Sequence, residues 1–199
     1  MLTPVHQSLA KYFLDHVQNP KLGLDHFCEL VACTTDNDER RQLLEMFRQN
    51  ANFREATENL TISSVNAMLD QGIKHFRQEE FEPARKKFVQ VLRDARCIGD
   101  GEVEARALGN LATVDYRTKR FAPAIRRYII CVQLLRQQGN EVMERKILNY
   151  LVMCCIEAHR WPPAKRFLRQ LARLIESEDG LKTVERLEDK IEKGEVSTG

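Results

Sequence analysis

Three groups of side chains in this sequence have the types and spacing for chemistry. Cys154 and Cys155 stand about one helical turn before His159, the arrangement of a thiol nucleophile with a nearby base. His26, Cys28 and Cys33 are metal-ligand types, but they supply only three ligands, and the two cysteines share faces with Phe27 and Leu30. Arg117, Lys119, Arg120, Arg126 and Arg127 crowd together beside Tyr116 and Phe121, the residue types with which a protein grips phosphates and stacks bases. The sequence contains no Gly-rich phosphate loop, no H-E-x-x-H and no G-x-S-x-G. The reading is therefore non-enzymatic: no catalytic residue, no metal ligand set and no cofactor are expected.

The composition suits a helix-rich globule. Apolar residues make up 43% of the 199 positions and charged residues 30%, with 9 Gly and 6 Pro, so the chain has enough apolar surface to fold. No apolar run approaches the ~18 residues of a membrane span, and the first residues lack a secretory pattern. The six cysteines form neither a C-x-x-C pair nor a disulfide framework. A cytoplasmic location is expected, with a nuclear one possible. Charge is uneven. Residues 1–63 carry 6 Lys/Arg against 9 Asp/Glu, residues 64–175 carry 21 against 12, and residues 176–199 carry 4 against 8. A basic middle between acidic ends points to an acidic partner, or to ends that fold back on the middle.

The elements that position these groups are set by an internal repeat. Phe81-Glu82-Pro83-Ala84 recurs as Phe121-Ala122-Pro123-Ala124 and again as Trp161-Pro162-Pro163-Ala164, each time 40 residues on. The same frame aligns Gly72, Ala112 and Val152, then Phe76, Tyr116 and Ile156, then Phe88, Tyr128 and Leu168. The proline suits the first turn of a second helix, where a missing N–H costs nothing. The alanine and the small residues of the first helix allow close approach, and the aromatics plug the turn. First helices are expected at about 63–78, 102–118 and 142–159, and second helices at about 82–97, 122–138 and 162–177. Gly99, Gly139 and Gly180 stand where left-handed helix stops are needed. On this frame Cys155 is a core position.

These features resemble the tetratricopeptide repeat, in the 40-residue subclass of spindle-orientation adaptors and bacterial Rap regulators, with kinesin light chains as longer-period relatives. The resemblance covers residues 63–177. It implies an all-α fold, a right-handed superhelical stack of three helical hairpins at about 63–101, 102–141 and 142–177. Residues 178–199, with Leu181, Val184, Leu187 and Ile191 on one face, read as a capping helix and polar tail. Residues 1–62 lie outside the frame, as either a degenerate leading repeat or a small helical cap. There Val5, Leu9, Phe13 and Val17 line one helix face, and Leu43, Leu44 and Phe47 belong to a later helix.

In such a stack the first helices line the concave face, so the expected peptide-binding residues are Arg77, Arg106, Asn110, Thr113, Arg117, Lys146, Asn149 and Met153. Asn66, Leu69, Ile73, Tyr116, Tyr150 and Glu157 share that face. Asn110 and Lys146 match two positions of the family's carboxylate clamp for chaperone tails, but Leu69, Ile73 and Tyr150 replace its Lys, Asn and Arg, leaving the clamp incomplete. Arg106 and Asn110, at i and i+4, fit the Arg-Asn pattern the spindle-adaptor subclass uses on peptides; they read equally as solvated polar positions. The expected partner is another protein, through an acidic extended or helical segment. Nucleic acid on the basic repeat-two surface is the rival, and a homodimer or self-inhibited module is the third possibility.

Overall fold

The computed structural model describes residues 3–15, 26, 30, 37–50 and 61–198. Among them every regular element is helical: α1 Pro4–Asp15, α2 Asn37–Arg48, α3 Ile62–Arg77, α4 Phe81–Ile98, α5 Gly101–Arg117, α6 Phe121–Gln137, α7 Glu141–Glu157, α8 Trp161–Ala172 and α9 Glu178–Thr198. The first helices α3, α5 and α7 are opened by side-chain caps. Thr61 and Ser64 form a reciprocal capping box, while Asp100 and Asn140 accept from the backbone N–H groups of Val103 and Met143 at 3.0 and 3.1 Å. The second helices have no such cap. Each instead carries proline at its third residue, where no intrahelical N–H is lost.

The hairpin turns share one geometry. In each, a residue with positive φ follows the helix, and its own N–H and that of the next residue donate to the helix's last carbonyls: Glu79 to Phe76 and Glu80 to His75, Lys119 to Tyr116 and Arg120 to Asp115, His159 to Ile156 and Arg160 to Cys155. The left-handed residues are Glu79 (φ 60°), Lys119 (57°) and His159 (52°), none of them glycine. Gly99 (φ 74°) and Gly139 (67°) make the same stop after α4 and α6, as expected from the sequence. Gly180 does not. It lies in the first turn of α9 without a positive φ, its N–H on Ser177 Oγ, and α8 ends at Ala172 instead of near residue 177.

Each helix packs on the next along the chain from α3 to α9, and first helices also touch one another, α3 with α5, α5 with α7 and α7 with α9. The second helix of one hairpin therefore lies against its own first helix and the next one. Val65, Leu69, Ala84, Phe88, Val91, Leu111 and Val114 fill the core around α3 to α5. Tyr128, Leu148, Leu151, Cys155, Phe167 and Leu171 fill the larger core that runs from α5 to α9. The close approach predicted for position 72 is real: a Cβ on Gly72 would stand 2.6 Å from the ring of Phe88.

The last helix keeps the frame. Val184, Leu187 and Ile191 are buried one period after Glu144, Ile147 and Leu151, and Gly194 lies on the Trp161 indole where Cys154 lies on Phe121. Three other positions change character. Leu148, Val152 and Cys155 are fully buried on α7, and one period on they become Glu188, Glu192 and Glu195. The face that would receive another second helix is thus charged.

At the other end Ser64, Ala67, Gln71 and Lys74 are exposed on α3, one period before buried Glu104, Ala107, Leu111 and Val114. Helix α2 does not cover them. Its Leu43, Leu44 and Phe47 pack with Ala10, Leu30 and Cys97, and Arg48 donates to the carbonyl of Ile98 at 3.0 Å. In α1, Ala10 and Phe13 face inward, whereas Val5 and Leu9 are exposed, so the apolar row read from the sequence is not the packed one. Val17, Leu24, Phe27, Cys28, Val31 and Cys33 lie outside the described residues.

Two outcomes are expected. Lys119 is exposed and left-handed, so Lys119→Gly should raise stability by about 1 kcal/mol, read from the urea midpoint. A Cβ at position 194 would overlap the indole of Trp161, the only tryptophan, so Gly194→Ala should shift its emission to the red and cost about 1–3 kcal/mol.

Candidate functional site: a groove across the first helices

The repeat frame turns the same side of α3, α5 and α7 outward, and one cleft of about 290 Å³ crosses all three. Its α5 wall carries Arg106, Asn110 and Thr113, with Ala105 and Gly109 between them. Helix α7 contributes Met143, Lys146, Ile147 and Tyr150, and α3 contributes Ile73 and Phe76. No carboxylate, histidine or thiol is among these residues, so the cleft is cationic with apolar flanks. Gly109 keeps its floor low, since a Cβ there would press on Ile147 at 3.1 Å.

Four of the eight site residues expected from the sequence, Arg106, Asn110, Thr113 and Lys146, meet in this cleft. Arg106 is half-buried and donates from Nη1 to Asn66 Oδ1 at 3.0 Å, which aims its guanidinium across the gap between α5 and α3. Lys146 is exposed. Thr113 is used internally: its hydroxyl donates to the Gly109 carbonyl at 2.8 Å and lies 3.0 Å from the Tyr128 hydroxyl. Tyr128 is fully buried, stacks on Tyr150 at 6.2 Å, and has its hydroxyl pKa pushed up by burial. Tyr116 is raised as well, first by burial and then by Glu157.

The other four do not line the cleft. Arg77 is exposed, Asn149 is half-buried, and Met153 packs against the main core. Arg117 pairs with Glu79 at 2.8 Å, its guanidinium 5.8 Å and 5.6 Å from the rings of Phe76 and Phe81. Leu69, placed on the groove face by the repeat frame, is fully buried. Ile73, Phe76, Met143 and Tyr150 make the apolar flank, and their signal in the sequence was an apolar residue on a face otherwise polar.

The basic cluster of the second hairpin is largely occupied from within. Asp115 is completely buried and holds Arg85 at 2.6 Å, Arg127, and more distantly Arg120 at 3.8 Å. With Arg117 on Glu79, three of the five cations read as a phosphate surface face carboxylates of the same chain. The half-buried rings of Tyr116 and Phe121 pack on each other at 6.2 Å.

Two further pairs on buried glutamates, Arg96 with Glu104 at 2.9 Å and the exposed Arg136 with Glu144 at 2.6 Å, are copies one period apart. Each ties the last turn of a second helix to the first turn of the next helix, where both charges also suit the helix dipoles.

The candidate thiols are core residues. Cys154 and Cys155 are fully buried, and burial pushes their pKa values from the usual 9.0 to about 12 and about 11; Cys131 is pushed to about 12 in the same way. A protonated, inaccessible thiol is a poor nucleophile. Among the described residues no group of three or more His, Cys, Asp and Glu is placed to hold a metal ion, and His26 is exposed with its ring 5.4 Å from Phe13. No described helix is long and apolar enough to cross a membrane. No protein-family model matches the chain, and comparison with curated proteins finds no match either.

The thiols set a pH dependence with a definite sign. The unfolded chain ionises them near 9 while the folded core keeps them protonated, so their stabilisation is whole below pH 9 and is lost as pH rises through 11–12. Unfolding in urea at pH 10.5 should show about 1–2 kcal/mol lost per buried thiol relative to pH 8, with a smaller loss in Cys154→Ala.

Proposed function

We propose that this chain is a tetratricopeptide-type scaffold, a right-handed stack of three hairpins that binds an acidic segment of another protein in the first-helix groove. The observation that carries the reading is the shared cleft: three successive first helices contribute to it, and its only charged side chains are Arg106 and Lys146. Flanked by apolar residues, such cations hold carboxylates by charge-assisted hydrogen bonds, while Asn110 has both a donor and an acceptor for a peptide backbone. Ile73, Phe76, Met143 and Tyr150 supply the apolar contact that gives a bound segment its area.

The reading is non-enzymatic. The cleft lining offers no general base and no nucleophile with a base beside it, and the buried thiols lie outside it. The cytoplasm or nucleus is the setting that suits the free buried thiols Cys131, Cys154 and Cys155. The internal pairing of Arg117, Arg120 and Arg127 weakens the nucleic-acid reading, because a phosphate would have to displace carboxylates already in place.

An array of short peptides graded in acidic content tests this. Wild-type protein should retain acidic peptides with apolar residues between the charges, and Arg106→Glu combined with Lys146→Glu should lower that binding at least about tenfold. Equal retention by the doubly substituted protein would remove the groove from consideration.

A further inference from the structure

The outward row of the first helices does not stop at α7. Asn66, Arg106, Lys146 and Arg186 stand one period apart on α3, α5, α7 and α9. Neighbouring members of the row come within reach of one another: Arg106 bonds Asn66 across the gap at 3.0 Å, and Arg106 and Lys146 line the same cleft. Helix α9 touches α7 as α7 touches α5, and the burial of Val184, Leu187 and Ile191 with Gly194 on Trp161 fixes its register. Arg186 therefore takes the next place in the row, and it is exposed. One turn further along α9, exposed Lys190 stands at the place of Asn110 and Tyr150.

The spacing of such a row is a constraint on what binds it. Packed helices lie about 8–10 Å apart, which sets the step from one cation to the next. A β-strand returns a side chain to the same face every two residues, after roughly 6.7 Å, which is too short a step. An α-helix needs seven residues and roughly 10.5 Å, which is longer than that step. A polyproline-II segment has three residues per turn and a rise of about 3.1 Å, so every third side chain points the same way after roughly 9.3 Å.

Resting on the groove reading above, we propose that Arg106, Lys146 and Arg186 form a three-rung cation ladder selecting a polyproline-II segment with Asp or Glu at every third position. Helix α9 then has a second role beside closing the core: it is the last rung. The glutamates Glu188, Glu192 and Glu195 stand on the face that replaces core.

Fluorescence anisotropy on the full chain tests the ladder. The probes are a labelled peptide of three Glu-Pro-Ala triplets, an isomer with its three Glu contiguous, and a labelled single-stranded RNA. The triplet peptide should bind about tenfold more tightly than its isomer, and Arg186→Glu should cost it about tenfold, with Lys182→Glu on the same helix as an unaffected control. Circular dichroism should show equal helix content in every variant. If Arg106→Glu with Lys146→Glu abolishes binding while Arg186→Glu leaves it intact, or if both peptides bind alike, the groove stands and the ladder falls. Binding indifferent to all three substitutions overturns both, and RNA binding tighter than the triplet peptide assigns the row to phosphates and overturns the ladder.

Discussion

The first helices α5 and α7 each have two apolar edges, and only a neighbour on both sides can bury them. One edge packs on the helix's own partner through Leu108 and Ala112 or Leu148 and Val152; the other packs on the preceding second helix through Leu111 and Val114 or Leu151 and Cys154. Burying a leucine-sized side chain stabilises by roughly 1.5–3 kcal/mol, so a helix with one edge open would lose more than its hydrogen bonds return. The chain meets this constraint by repeating the unit and then changing one edge at each end. Ser64, Gln71 and Lys74 make the leading edge polar, and Glu188, Glu192 and Glu195 do the same for the trailing one.

Buried charge adds specificity to that apolar frame. The pairs Arg96 with Glu104 and Arg136 with Glu144 join consecutive hairpins at equivalent points, and the series ends where Val184 takes the glutamate's place. Such pairs contribute little net stability after desolvation, but leaving one member unpaired in the core is costly. A hairpin shifted along its neighbour would do that. Asp115 does the equivalent work between the first and second hairpins, drawing Arg85 and Arg127 from two different second helices onto one carboxylate. The cost is paid in surface charge: arginines that look available in the sequence are committed inward.

Much of the scaffold was legible in the sequence because it is written in local backbone chemistry. Proline at the third residue of each second helix, glycine at 99 and 139, and the apolar spacing along each helix act over a few residues and read directly. What was hidden depends on partners distant in the chain. Asp115 is unremarkable until Arg85, 30 residues away, lies beside it. Glu79, Lys119 and His159 adopt left-handed backbone with no glycine to announce it, because the hairpin packing fixes the turn. Gly180 read as a stop because glycine past a helix usually is one; here α8 ends earlier, and Gly180 belongs to the turn that opens α9. For the groove, the polar row was readable with Ile73 and Tyr150 beside it, but Phe76 and Met143 were not, and Leu69, one turn from Ile73, was misplaced because only the packed structure separates core from surface.

That each helix from α3 onward touches only its near neighbours also shapes how the molecule comes together. Contacts between elements close at separations of a hairpin or a single period, so little loop entropy is spent before they begin to reward ordering, and low contact order goes with fast folding. Assembly can start at any hairpin and spread in both directions, as in a one-dimensional lattice. The interior helices α5 to α7, flanked on both sides, form the most protected stretch, and opening begins at α3 and α9. Through α9 the fraying end is also the end that carries Arg186, so a segment docked along the row would hold shut the very part of the stack that opens most readily.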